Sequence, residues 1–509
     1  MRPRPRNVES CTIASIGGSA TRSSAVRPEH LHFRNEARSM IEAFLATPIP
    51  PCRTGLATYA LRVIRATAEH VSWTVGYTEG SDPSRLPEGV RAVPLGAVTN
   101  GSDLPERRFF QLGNSPHCFE VLRKLYGLGG ASVFHETVLH HMLRHCLLQK
   151  NQVEEYRREV RFAYGPAAEK VLETLDRADL PPEEYDRLLK SYPLIARAVN
   201  SSDLVVCLNE YARHTLLGLA GSTRVVRIAH PLSPVEEVVS PENVPEGFLL
   251  GMVGRYHHGR NLGMVLRAVG QLRRKMDASL ALIGSGYPEN LPSWVVRTGE
   301  VDEPRYQGWI RSLDVGIDVR FPTCGETSGS LLEVMRAGVP VVVSATGSFL
   351  EIPSSAVVRL PVETMAGALP GALEALYADR DRRERMALEG KRYAEDVGSM
   401  ERAESEWRSL MEWKPSEPPE PFHQPSLAAA WHDPPPGFER ETKGSSVRWS
   451  FSGRASIPGP DWASRVWVTA RGPGSVNGTL LEETDSIIEL QGADLLFKGR
   501  GSLTAVHWR

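Results

Sequence analysis

The sequence predicts an α/β protein built from two doubly wound parallel-sheet units, and three observations carry that expectation. Short apolar strands alternate with amphipathic helices from residue 41 to about residue 413. Two proline clusters, Pro231-Leu232-Ser233-Pro234 and Pro241 to Pro245, divide this stretch in two. The run Val339–Val343 is β-branched on both faces, the pattern of a strand covered on both sides.

Each element follows in order. Ile41–Ala46 reads as the first strand and enters the loop Pro48-Ile49-Pro50-Pro51-Cys52-Arg53-Thr54-Gly55. A helix then begins near Leu56, with Leu56, Tyr59, Ala60, Val63 and Ile64 at helical spacing. Strands are expected at Val71–Tyr77, Val90–Leu95, Phe109–Leu112, Ala131–Phe134 and Leu204–Leu208. The stretch from Leu139 to about Asn200 reads as mostly helical, broken at Gly165-Pro166 and Pro181-Pro182. The second unit opens at Phe248 with FLLGMVGRYHHGRN, continues as a helix to about Lys275 and a strand Leu280–Ile283, and ends near Val397. Within it, RFPTCGETSGSLLEVMRAGVPVVVSATGSFL, residues 320 to 350, reads as an extended apolar lead-in, a Gly-rich acidic loop holding Glu326, a helix holding Glu333, and a buried strand. Gly338-Val339-Pro340 ends that helix. Met400–Trp413 is one more amphipathic helix, expected to cross back to the first unit.

At 509 residues the chain has room for about three domains of ~150 residues. Residues 1–39, rich in Arg, Ser and Gly, read as a disordered basic tail. Residues 40–235 form the first Rossmann-like domain and 236–413 the second. Residues 414–437 hold eight prolines and read as an extended linker, and 438–509 read as a small β-sandwich-like module of alternating strands. Half of the ten tryptophans lie at or after Trp431. Trp449, Trp462, Trp467 and Trp508 are expected either to fill a small β core or to stack on sugar rings. A formal net charge of −2 argues against a dedicated nucleic-acid binder. No apolar run approaches the ~18 residues of a membrane span, and the N-terminus lacks the apolar stretch of a signal peptide. Six scattered cysteines without a CxxC pair suggest buried or idle thiols in a reducing cytoplasm.

Several loops gather groups suited to a phosphorylated ligand at sheet edges, where open α/β folds bind ligands. Gly254-Arg255-Tyr256-His257-His258-Gly259-Arg260-Asn261 follows a strand and opens a helix, so two guanidinium groups and free amides meet there. Together with the acidic loop, this segment resembles the signature of retaining nucleotide-sugar glycosyltransferases, family four, of the GT-B fold. The resemblance spans roughly residues 41–413. It implies two Rossmann-like domains facing across a cleft, with a nucleoside-diphosphate sugar as donor and a glycan or lipid-linked sugar as acceptor.

By that resemblance Arg255 and Arg260 meet the diphosphate, although the family has Lys at the second place. Glu326 sits beside the donor sugar, and Glu333 accepts the ribose hydroxyls. The family has seven residues between these two Glu and this chain has six, which a one-residue deletion after Gly329 reconciles. Thr327, Ser328 and Gly329 would add loop amides. Phe134-His135-Glu136-Thr137-Val138-Leu139-His140-His141 resembles the segment whose His, here His135, faces the donor sugar; His140 and His141 would pack or face solvent. Gly55 matches a glycine loop near the diphosphate, Gly113-Asn114-Ser115-Pro116-His117 an acceptor-side loop, and Gly284-Ser285-Gly286 borders the nucleotide.

The resemblance implies no cofactor and no metal. Asp379-Arg380-Asp381 is formally a DxD but lies in a charged helical run and reads as a solvated face. Arg123, Lys124, Arg144, Lys150, Arg157, Arg158 and Arg161 make one helical face basic, either solvated or in peripheral contact with an anionic membrane. Two other readings stand beside the transferase: another GT-B nucleotide-sugar enzyme such as an epimerase, and a catalytically degenerate sugar- or nucleotide-binding protein.

Overall fold

The computed structural model describes residues 40–176, 180–220 and 223–413, together with strand segments between 438 and 508. The basic tail, the Pro-rich linker, Cys11, Trp431 and Trp462 lie outside the described residues.

The first sheet contains β1 (Ile41–Thr47), β2 (Val71–Tyr77), β3 (Arg91–Pro94), β4 (Arg107–Leu112), β5 (Ala131–Phe134), β6 (Leu204–Cys207) and β7 (Arg224–Arg227). All are parallel, in the order β3-β2-β1-β4-β5-β6-β7. β5 and β6 are buried along their whole length, as strands covered on both faces must be. One apolar cluster fills each face: Phe110, Leu122 and Leu143 on one side, Tyr59, Trp73 and Phe109 on the other. The intervening helices are α1 (Gly55–Ala66), α2 (Phe119–Leu128), α3 (His140–Gln149), α4 (Val153–Tyr164), α5 (Ala168–Leu175), α6 (Pro182–Ser191), α7 (Ala196–Asn200) and α8 (Glu210–Leu217). Thr54 caps α1, its hydroxyl accepting from the Ala57 amide at 3.2 Å.

The second sheet repeats the plan with β8 (Phe248–Val253), β9 (Ala278–Ile283), β10 (Val295–Gly299), β11 (Val315–Asp318), β12 (Val341–Ser344) and β13 (Val357–Leu360). They are parallel in the order β10-β9-β8-β11-β12-β13. Its helices are α9 (Leu262–Leu272), α10 (Glu303–Arg311), α11 (Gly329–Arg336), α12 (Met365–Ala378) and α13 (Arg380–Val397). The buried strand expected at Val339–Val343 begins two residues later. Pro340 has no amide to give a central strand, and its carbonyl instead accepts from Gly316 at 2.9 Å. Asp379 caps α13 through the Arg382 amide, so the DxD triplet is a helix start.

α14 (Met400–Leu410) leaves the second domain and packs on α1. Trp407 is fully buried in the first domain's core, edge-on to Phe109 at 5.2 Å and Trp73 at 6.0 Å, with its indole N–H toward the Tyr59 hydroxyl at 3.3 Å. The five described cysteines are free thiols. Among the described residues no helix is long and apolar enough to cross a membrane. Beyond residue 438, strands between Phe438 and Trp508 pair antiparallel, with Ser446–Pro458 running alongside Asp494–Trp508.

Trp407→Ala removes a large side chain from a closed core and is expected to cost about 3–5 kcal/mol, read from denaturant unfolding.

Candidate functional site

In both sheets strand order reverses about a central pair, β1/β4 and β8/β11, and the singled-out loops leave the carboxyl ends of these strands and of their neighbours β5 and β9. Gly254 (φ +109°) follows β8 and Gly284 (φ +126°) follows β9. A Cβ on Gly284 would lie 2.6 Å from the Gly254 carbonyl oxygen, so only glycine lets the two strand ends approach this closely. Asn261, itself left-handed at φ +52°, ties the turn together by donating to the Gly259 carbonyl at 2.7 Å and the Phe321 carbonyl at 3.3 Å.

The two arginines of this turn part company. Arg260 points inward and is buried: it donates to the Val253 carbonyl at 2.6 Å and the Tyr287 hydroxyl at 3.0 Å, and lies 3.6 Å from the Asp318 carboxylate. Arg255 is exposed and reaches the other domain, donating to the Arg53 carbonyl at 2.6 Å in the loop that leads to Gly55.

The acidic loop is held from below. The lead-in expected to be apolar contains a buried cation, because Asp318 at the end of β11 and Arg320 just beyond it point to one side and pair. Arg320 donates to both Asp318 oxygens at 2.9 and 3.0 Å, to Glu326 at 2.8 Å and to the Ser328 hydroxyl at 2.6 Å. Ser344 clamps its backbone from both sides. Ser328 also donates to Asp318 at 2.8 Å and caps α11 at the Leu331 amide. Arg260, Asp318, Arg320 and Glu326 thus form one chain of alternating charge. Burial pushes both carboxyls up, but the Arg320 guanidinium outweighs it, holding Asp318 at about 2 and Glu326 below the usual range.

The loop is also gripped by the first domain. The Thr137 amide donates to the Cys324 carbonyl at 2.7 Å. Asn209 donates to the Gly325 carbonyl at 3.0 Å and the Thr327 hydroxyl at 2.9 Å. Glu351 accepts from the Glu210 and Tyr211 amides at the start of α8. Glu333 does not share partners with Glu326. Its two oxygens accept from Arg62 of α1 at 2.7 Å and from the Tyr306 hydroxyl at 2.8 Å, and Arg62 also donates to Ser233 and Pro231 of the linker.

On the first-domain side, His135 and His230 flank the ring of Tyr59 edge-on, at 4.6 and 5.4 Å between centroids. His230 lies against Gly329, and His135 Nε2 and His230 Nδ1 are buried without a hydrogen-bond partner among the described residues. Burial keeps both rings neutral, lowering His135 to about 3 and His230 to about 4. His140 packs inside, bonded to the Tyr156 hydroxyl at 2.7 Å, while His141 binds Asn114 and Asp186. Gly55 stands at the start of α1 with open space where a Cβ would be. A Cβ at Gly113 would meet Leu56 at 2.8 Å and Glu136 at 3.6 Å.

Glu136 carried no expectation beyond its place in the His135 segment. Its carboxylate accepts only weakly from the Asn114 amide, at 3.4 Å. Burial first and the charge of Glu326 second push it up to about 7. Asp318, Arg320, Arg62, Tyr59 and His230 also escaped sequence reading. The available signal was the Asp-x-Arg spacing at a strand end, where two buried charges must find each other. Among the described residues no three His, Cys, Asp or Glu side chains are placed to hold a metal ion.

Residues 247–379 match the glycosyl transferases group 1 family. The match runs from the linker through α12, and so covers the Gly254 turn and the acidic loop. The two-domain body has the fold of sucrose-phosphate synthase from Thermosynechococcus elongatus, at 14% identity and TM-score 0.51 over 73% of this chain and 98% of that one. It is equally similar to HepE of Anabaena, solved in complex with UDP-glucose, at 12% identity and TM-score 0.50 over 73% of this chain and 99% of the other. Both similarities are of the GT-B fold, two parallel-sheet α/β domains. No curated protein matches the chain by sequence.

The Glu136 carboxyl is stabilised in its neutral form, so its contribution favours the fold below pH ~4.5 and is lost as pH rises toward about 7. Glu136→Gln is expected to flatten the stability–pH curve over that window and to raise stability above pH 7 by up to about 3 kcal/mol, checked by unfolding at several pH values.

Proposed function

We propose that this protein is a retaining glycosyltransferase that moves a sugar from a nucleoside-diphosphate sugar to a glycan or lipid-linked acceptor. The observation that carries the reading is the Arg320-anchored Glu326 loop. It lies within the segment that matches the group 1 family and is pressed against His135-side elements of the facing domain. The glycosidic bond to the diphosphate breaks, the diphosphate leaves with the electron pair, and the acceptor hydroxyl attacks from the same face. Its proton passes to a phosphate oxygen.

Within that reading Arg255 and the amides at the open start of α1, beside Gly55, meet the diphosphate, while Gly254 and Gly284 let it approach the backbone. Arg260 acts from beneath, fixing the turn through Asp318. The neutral His135 ring offers its unpaired nitrogen to a sugar hydroxyl, and Glu326 with the Thr327–Gly329 backbone borders the sugar. Glu333 is buried against Arg62, so ribose hydroxyls reach it only as Arg62 withdraws. Donor entry is thereby coupled to parting of the domains. Guanidinium groups and helix amides take the place of a metal in this scheme, and no cofactor is used. The free thiols fit a cytoplasmic setting. The antiparallel strands beyond residue 438 form, in this reading, an accessory β module.

A panel of UDP-, GDP- and dTDP-sugars should give saturable binding to one nucleotide and transfer or slow hydrolysis insensitive to EDTA. Binding without turnover on any acceptor would favour a binding protein. Arg255→Ala is expected to lower turnover by about 10²–10³, as for loss of one positioned donor. Gly55→Ala should leave the unfolding midpoint unchanged, since open space surrounds that Cβ, yet raise the donor KM.

A further inference from the structure

We propose that a groove along the first domain, from Arg255 to Lys150, is a subsite for a phosphate carried by the acceptor sugar. The inference rests on the transferase reading and names its acceptor class. Two cavities form the groove. One, of about 400 Å³, is lined by Cys52, Arg53, Ser115 and Arg255. The other, of about 790 Å³, is lined by Phe119, Arg123, Lys124 and Lys150. Both are also lined by Gly80, Pro116 and His117, so they are continuous. Their walls are the segments that follow β1, β2 and β4 at the carboxyl edge of the first sheet, together with α2 and the end of α3. One end therefore opens at the arginine assigned to the donor diphosphate, and the other runs away from it.

The charge along this path is one-sided. Arg53, Arg255, Arg123, Lys124 and Lys150 line it against Glu79 and Glu120. Arg53 pairs with Glu300 and Arg123 with Glu155, but Lys124 spends its ammonium on the neutral Val98 carbonyl and Arg255 on that of Arg53. At the far end two cations lie near the Phe119 ring, Lys150 Nζ at 5.2 Å and Arg123 Cζ at 6.0 Å from its centroid. A dianion in the groove meets both cations, with Arg123 sharing its guanidinium between the phosphate and Glu155. A guanidinium beside an ammonium suits phosphate oxygens, the first through paired donors and the second as a point charge. A solvated face has no need of a cavity; here the cations line one that leads to the donor. With phosphate held at the Lys150 end, the sugar ring extends past His117 and presents a hydroxyl toward Arg255.

The test uses the full chain and separates binding from turnover. Calorimetry with mannose 6-phosphate and with methyl mannoside reads the subsite without a donor, and UDP- or GDP-binding is measured alongside. The phosphorylated sugar is expected to bind and the neutral one not. Affinity should fall at least tenfold in Lys150→Glu and in Arg123→Glu, and fall with added salt. Lys150→Arg should retain it. Lys150 and Arg123 are exposed, and an unchanged unfolding midpoint shows that each variant folds. Equal binding of both sugars, or undiminished binding in the charge-reversed variants, overturns the proposal. Capture by phosphatidylglycerol vesicles without binding of mannose 6-phosphate also overturns it and assigns the basic face to a lipid surface. Loss of nucleotide binding in the unaltered protein, with sugar-phosphate binding intact, would instead remove the transferase reading and leave the subsite standing.

Discussion

The interaction on which the site depends is the buried chain of alternating charge Arg260–Asp318–Arg320–Glu326. Two guanidiniums and two carboxylates are taken out of water together, so each desolvation cost is offset by a neighbour of opposite sign. Its geometric consequence matters more than its energy. Arg260 belongs to the turn after β8 and Asp318 ends β11, the two central strands of the second sheet. Linking them locks the two loops of the switch point to each other. Glu326 then hangs from Arg320 in ionised form, with its carboxylate held at one place in the seam. Removing any one member leaves a buried charge unanswered, so the chain acts as a unit.

The domains meet through a different kind of contact. The acidic loop is held through its carbonyls by the Thr137 amide and the Asn209 side chain, neutral and directional bonds that are individually weak, while the Glu351 carboxylate accepts from the amides at the start of α8. Two charged pairs stand among them, Arg62–Glu333, buried on both sides, and the exposed Arg53–Glu300. α14 resists separation more firmly, because Trp407 is buried in the first domain's core while its chain continues from the second. The two domains are thus joined by one deeply buried tether and a set of individually weak hydrogen bonds.

Much of the fold was legible because a parallel sheet writes itself locally. Val71–Tyr77 alternates large apolar residues with Ser, Thr and Gly, Ala131–Phe134 is apolar but for Ser132, and both are strands with those bounds. The strands left unread, Arg224–Arg227, Val295–Gly299, Val315–Asp318 and Val357–Leu360, carry arginine, glycine or aspartate within four or five residues. Three of them lie at or near sheet edges, where one side chain in two reaches solvent and the apolar run is interrupted. β11 is central, and its Asp318 is tolerated only because Arg320 and Arg260 answer it.

The site divides along the same line. The sequence by itself determined which loops follow the strands it read, where glycine permits close backbone approach, and that Glu326 lies in a loop and Glu333 in a helix. These are properties of neighbours along the chain, set by periodicity and backbone freedom. The tertiary structure alone decided what each side chain faces. It turned Arg260 inward and Arg255 outward from one turn, gave Glu333 to Arg62 across a separation of 271 residues, and placed Glu136 where burial and Glu326 raise it toward neutrality. The physical reason is that a charge's partner and its dielectric surroundings depend on segments brought together only by folding, and local sequence does not encode their distance.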